Sequence, residues 1–203
     1  MRNGSRLDEA YYLLDVYREK LSLPDHVVVR AREVFERVKD TAIAKYRGRN
    51  WLGAMMAASV CIACRESGLP VRFRDLWLEF PAPRELRLVT MKLVTSVEAA
   101  RAYKMIVETL GLRVQQPNPY AFLHLIAGRL ELDRPTVERA EKLLREAVER
   151  SHAMGKQAAT LAAAAIYAVC RQWLKPGRLE KASGVKRGSF MKHAETLSAY
   201  FLE

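Results

Sequence analysis

The sequence predicts an all-α protein built from two tandem five-helix repeats, the second ending in a helix-turn-helix. Apolar residues recur at steps of three and four along most of the chain, and strand-like alternation is almost absent. The same succession of landmarks occurs twice, offset by 106 to 109 residues. The second copy closes on a short helical stretch, a Gly-Val turn and a basic final helix, which is the outline of a helix-turn-helix.

In the first copy, residues 1–111, Leu7, Ala10, Tyr11, Leu14, Tyr17 and Leu21 mark one face of a first helix. Pro24 sits where a second helix starts, followed by Val27, Val28, Ala31, Val34, Phe35 and Val38 on one face. A break at Arg47-Gly48-Arg49-Asn50 leads into residues 51–65, apolar nearly all round, the mark of a buried central helix. Residues 73–79 predict a short helix, and Phe80-Pro81-Ala82-Pro83 forces a break. Residues 84–94 are extra material with no counterpart in the second copy. A last helix follows over 96–110, with Ser96 as its N-cap and Glu98 in its first turn.

A short linker reaches the second copy, residues 117–203. Pro119 opens a helix carrying Tyr120, Leu123 and Ala127, and Pro135 opens another carrying Val137, Ala140, Leu143, Leu144 and Ala147. After Gly155-Lys156-Gln157, residues 161–171 are again apolar all round. The close is a helix at 178–183, a turn at Gly184-Val185 and a helix at 186–202. Leu21 and Leu23 answer Leu130 and Leu132 at an offset of 109, whereas Cys64-Arg65 and Arg72 answer Cys170-Arg171 and Arg178 at 106. A period this long is a duplicated globular domain, not a solenoid unit.

With 203 residues, half of them hydrophobic, the chain can form a sizeable core without metals or disulfides. A net charge of +11 and a pI near 9.8 point to a polyanionic partner, nucleic acid or a membrane surface. No apolar run is long enough to span a bilayer, and the N-terminus shows no signal peptide. Cys61, Cys64 and Cys170 fall inside apolar runs. Cys61 and Cys64, at i and i+3 of a helix, read as small core hydrophobes in a reducing setting. Scarce Asn is a hint of a thermophilic source. His26, His124, His152 and His193 are scattered, and no Gly-rich phosphate loop is present, so no enzyme, cofactor or metal site is expected. His124 reads as a core histidine.

The candidate site is the basic stretch from Arg171 to His193, where seven Lys and Arg face Glu180 alone. Arg178, Lys181, Lys186, Arg187, Ser189 and Lys192 are the candidate DNA contacts, because Lys and Arg neutralise phosphates and recognition helices present their first turns to base edges. Arg187 is placed to read guanine. Arg49 and Lys156 stand at matching loops before the central helices, and Arg72 answers Arg178. The alternative is a solvated basic face, with Phe190, Leu197 and Phe201 as core anchors. Glu131, Asp133, Glu138, Glu141, Glu146 and Glu149 give the second copy an acidic face that should turn from DNA.

The pairing of Gly48-Arg49 with Ala63-Cys64-Arg65, of Gly155-Lys156 with the run from Ala163 to Ala168, and the Ala182-Ser183-Gly184-Val185 turn resemble the cyclin box. Their order and duplication most resemble the core of the B-type general transcription initiation factors, archaeal transcription factor B and its eukaryotic relative. The resemblance implies two cyclin-like repeats that sit on promoter DNA with TATA-binding protein and help position RNA polymerase, in the cytoplasm with the nucleoid. It implies a last helix in the major groove upstream of the TATA box. The family's N-terminal zinc ribbon and polymerase-reaching linker have no counterpart here, so an excised core or a shortened paralogue that occupies promoters without recruiting polymerase is expected. A cyclin-like protein-interaction scaffold is the other reading. Where the family places base-facing Val and Arg, this chain has Gly188 and Met191, so its sequence preference should be altered or reduced.

Overall fold

The computed structural model describes residues 3–45, 51–76, 95–149 and 157–201. It comprises α1 Asn3–Leu21, α2 Asp25–Lys45, α3 Trp51–Glu66, a 3-10 turn Phe73–Leu76, α4 Ser96–Leu110, α5 Pro119–Leu130, α6 Arg134–Glu149, α7 Ala158–Cys170, α8 Pro176–Ser183 and α9 Arg187–Phe201. No strand occurs among the described residues. The chain divides into two compact units, Met1–Gln116 and Pro117–Glu203.

Each unit is organised around its third element. In unit 1, α3 packs against α1, α2, α4 and the 3-10 turn; in unit 2, α7 packs against α5, α6, α8 and α9. Composition explains the position. Every residue from Ala54 to Cys64 is buried, and so is every residue from Ala158 to Ile166. A helix with no polar face is stable only when neighbours surround it. Its alanines let those neighbours approach closely.

Burial confirms the registers within the first two elements. At an offset of 109, Val27, Ala31, Val34, Phe35 and Val38 on α2 answer Thr136, Ala140, Leu143, Leu144 and Ala147 on α6, and all ten are buried. Leu13, Leu14 and Tyr17 on α1 answer Phe122, Leu123 and Ile126 on α5, again all buried. Helix termini repeat too. α1 stops at Ser22 (φ 49°) and α5 at Glu131 (φ 56°), both left-handed. The next amide donates back to the helix in each case, Leu23 to the Arg18 carbonyl at 2.9 Å and Leu132 to the Ala127 carbonyl at 3.1 Å. This is the six-to-one closure of a Schellman corner, here without the usual glycine. The same strained corner in both copies is a conformational trace of duplication.

Three local expectations change. The N-cap of α4 is Thr95, not Ser96: its Oγ1 accepts from the Glu98 amide, and the Glu98 carboxylate accepts from the Thr95 amide. A capping box needs its partners three residues apart, and only Thr95 stands three before Glu98. The short helix expected over 73–79 is a 3-10 turn over Phe73–Leu76, while 77–79 and the extra segment 84–94 lie outside the described residues. His124 is exposed, not a core histidine. Its Nε2 lies 2.8 Å from Glu141 Oε1 on α6.

Candidate nucleic-acid interface

The site is assembled from α8, the turn after it and α9. Pro176 occupies the first turn of α8, where its missing N–H costs nothing. Gly184 ends the helix at φ 61°, ψ 20°, and its amide donates to the Glu180 carbonyl at 2.8 Å. That left-handed conformation favours glycine over any side chain. The Ser183 hydroxyl accepts from the Val185 amide at 3.1 Å, and Val185 itself is buried, so the turn is fixed on both sides. α9 then docks on α7 through Phe190, Ala194 and Leu197, all buried, with the Phe190 ring edge-on to Tyr167 at 5.4 Å. The expected core roles of Phe190 and Leu197 hold.

With one face anchored, the other carries the candidate residues. Lys181, Lys186, Arg187, Ser189 and Lys192 are exposed. Among the described residues, neither Lys175, Lys181, Lys186 nor Lys192 makes an ion pair. Arg187 lies back along its own helix, its Nε 3.2 Å from the half-buried Met191 Sδ. Gly188 is open: a Cβ there would meet nothing within 4 Å. Arg178 has a second task. Its Nη2 donates to the Leu130 carbonyl at 3.3 Å, at the C-terminus of α5, while Arg129 of α5 donates to the Ala182 carbonyl of α8 at 2.9 Å. Each helix thus sends a cation to the other's negative end, a reciprocal cap that locks α8 onto α5. No local pattern announces this cap, because the partners lie 48 and 53 residues apart.

The remaining candidates are separate. Arg72 is half-buried in unit 1 and doubly bonded to Asp75, Nε to Oδ2 at 2.9 Å and Nη2 to Oδ1 at 2.7 Å. Arg49 and Lys156 lie outside the described residues. On the acidic face, Glu138 pairs with Arg134 at 2.8 Å, and the Thr136 hydroxyl together with the Thr136 amide holds the Asp133 carboxyl below the usual range.

Chemistry elsewhere is quiet. Burial pushes the Cys61 and Cys170 thiols up to about 11 and Cys64 up to about 12, far from the range of a nucleophile at neutral pH. All three are free and buried. Among the described residues no cluster of His, Cys, Asp and Glu could hold a metal ion, and no helix is long and apolar enough to cross a membrane.

Comparison with known proteins shows what the chain is similar to. Residues 112–178, from the linker to the first turn of α8, match the transcription factor TFIIB repeat. Transcription initiation factor IIB of Pyrodictium occultum is 32% identical over 149 residues, 73% of this chain and 43% of that protein. Transcription initiation factor IIB 2 of Thermococcus kodakarensis is 29% identical over 156 residues, 76% of this chain and 45% of that protein. The chain therefore spans less than half the length of these relatives. A viral cyclin from herpesvirus saimiri aligns over 100% of this chain and 86% of its own, at 16% identity and a TM-score of 0.38, and adds nothing to the argument. Residues 112–178 are thus similar to the TFIIB repeat, and about three quarters of the chain is similar to archaeal transcription initiation factors IIB.

Proposed function

We propose that this protein binds promoter DNA together with TATA-binding protein, as an initiation-factor core that carries no catalytic activity. The observation that carries the reading is the set of exposed lysines without an ion pair on α8, on α9 and in the fixed turn between them, Lys181, Lys186 and Lys192. Phosphates are the natural complement of that set, and the relatives named above are initiation factors. The contact residues are Lys181, Lys186, Lys192 and Ser189, with Arg178 and Arg187 joining when their internal bonds are exchanged for phosphate. Arg49, Lys156 and Arg72 are secondary.

Sequence preference is weak in this reading. Gly188 offers no side chain, and Met191 holds Arg187 along the helix instead of toward a base. Phosphate contacts position a protein without reading sequence. Specificity then comes from the partner already seated on the promoter, and contact with RNA polymerase is a separate step. The test is a gel shift with TATA-box DNA, with and without TATA-binding protein. A slower complex that appears only with all three components, and fades as salt rises, is the expected result. No such complex at low salt overturns the promoter reading in favour of a protein-interaction scaffold. A polymerase pull-down on the assembled complex then separates an initiating factor from an occluding one.

A further inference from the structure

We propose that Trp173, in the turn between α7 and α8, is a DNA contact that adds an apolar, salt-insensitive increment to the phosphate contacts of α8 and α9. The inference rests on the DNA-binding reading above.

Trp173 is 57% exposed, the one aromatic among the large hydrophobic side chains left in solvent in the described residues. Its backbone is not free to hide it. The Trp173 and Leu174 amides both donate to the Cys170 carbonyl, at 3.1 and 2.8 Å, and Leu174 is sealed into the unit 2 core. The turn is pinned at Cys170 and Leu174, and the indole between them is held out on a fixed corner. Exposing an indole sacrifices hydrophobic stabilisation, so a partner that covers it gains that energy back.

Charge selects the partner. Arg171 and Lys175 flank the indole, both exposed, and no Asp or Glu occurs between Arg171 and Leu179. An anionic surface with apolar facets fits this corner, and duplex DNA offers phosphates beside sugar and base edges. Dimensions agree. The eight residues of α8 run about 12 Å from the Trp173 corner to the Gly184 turn, close to the width of the major groove. In a helix-turn-helix the first helix crosses the backbone while the second enters the groove. The start of α8 then falls across the strand, next to the minor groove, where apolar side chains pack on sugars or wedge at base steps. Arg171 and Lys175 would clasp phosphates on either side of the indole.

The test uses the full chain and a fluorescein-labelled TATA-box duplex, titrated at several salt concentrations with and without TATA-binding protein. Trp173→Ala should bind about tenfold more weakly at every salt, within the range of an aromatic–base contact, with the slope of log affinity on log salt unchanged. Trp173→Phe should keep most of the affinity. The double variant Arg171→Ala/Lys175→Ala should instead flatten that slope by about two units. Tryptophan emission lost between wild type and Trp173→Phe should be quenched when wild type binds the duplex. Wild-type DNA affinity in Trp173→Ala, with emission unchanged on binding, overturns this inference and leaves the DNA-binding reading standing. Loss of only the TATA-binding protein complex in Trp173→Ala assigns the indole to a protein contact and overturns it too. If wild type binds no duplex under any of these conditions, both fall together.

Discussion

The Leu76 carbonyl of unit 1 and the Ala182 carbonyl of unit 2 stand at one position of the repeat, yet they are satisfied by different chemistry. Leu76 accepts from the buried phenol of Tyr17 at 2.9 Å, whose burial raises its pKa far above the ordinary value. Ala182 accepts from the guanidinium of exposed Arg129. The contrast extends along the same stretch. Arg65 is held inside unit 1, its Nη1 on the Tyr103 hydroxyl at 2.8 Å and its charge over the rings of Tyr103 and Phe73, whereas its counterpart Arg171 is exposed. Arg72 is neutralised by Asp75, whereas its counterpart Arg178 has Lys181 at the matching place. Two copies of one skeleton have turned their polar groups in opposite directions. At these positions unit 1 holds Arg65 and Arg72 on its own side chains, whereas unit 2 leaves Arg171 and Lys181 in solvent, where a polyanion can meet them.

The strongest consequence concerns how the last helix is held. Phe190 anchors α9 in unit 2, while the matching position on α4, at an offset of 91, is Ala99. Phe190→Ala should cost about 3–5 kcal/mol in urea unfolding, because a buried ring is lost and its cavity remains. A cost below about 1 kcal/mol would show that α9 is not docked as described. The second experiment exchanges the charge arrangement of the two units. Lys181→Asp places a carboxylate three residues after Arg178, as Asp75 follows Arg72, and removes two cations from the surface at once. The salt slope of DNA binding should flatten by about two units and low-salt affinity should drop at least about tenfold. Asp75→Lys, its mirror, should leave the slope little changed and instead destabilise unit 1 by about 1–2 kcal/mol.

A smaller effect sits in the central helices. Ser59 on α3 is buried with its hydroxyl unbonded, whereas its counterpart on α7 is Ala165. Ser59→Ala should raise stability by about 1 kcal/mol, since the desolvation of an unpaired hydroxyl disappears. A loss of stability would mean the hydroxyl has a partner. The smallest concerns the shared corner. Ser22→Gly and Glu131→Gly each relieve a left-handed side chain, at the cost of a more flexible unfolded chain, for a net gain of about 0.5–1 kcal/mol. Equal gains in both would confirm that the two corners are equivalent, and thermal melts of the single variants measure them.

Much of this was legible in the chain itself. Helical periodicity and the all-round apolar runs identified α3 and α7 as the centres, because a helix with no polar face has one stable environment. Gly184 and the basic residues after it located the turn and its charge. What escaped were features set by contacts between distant segments or between close alternatives. Thr95 and Ser96 are both good caps, and only the reach of Glu98 chose between them. His124 sits among apolar neighbours in sequence, but its helix turns it outward to Glu141. Arg72 and Arg178 read alike as basic residues before a short helix, and nothing local distinguishes the one that is neutralised from the one that caps a neighbouring helix.

Local patterns in the chain are enough to establish two copies, the helical character of each, and a turn of helix-turn-helix form in a basic setting in the second. Periodicity, glycine and proline act over a few residues and are written in the chain. Which cations remain available on that helix-turn-helix is settled by packing between distant segments. Whether a guanidinium meets a carboxylate, a carbonyl or water depends on side chains brought together from 48 or 53 residues away, as Arg178 with Leu130 and Arg129 with Ala182 demonstrate. The row of Lys181, Lys186 and Lys192 is therefore a sharper statement than a basic stretch: it is the charge left over after the fold has taken what it needs.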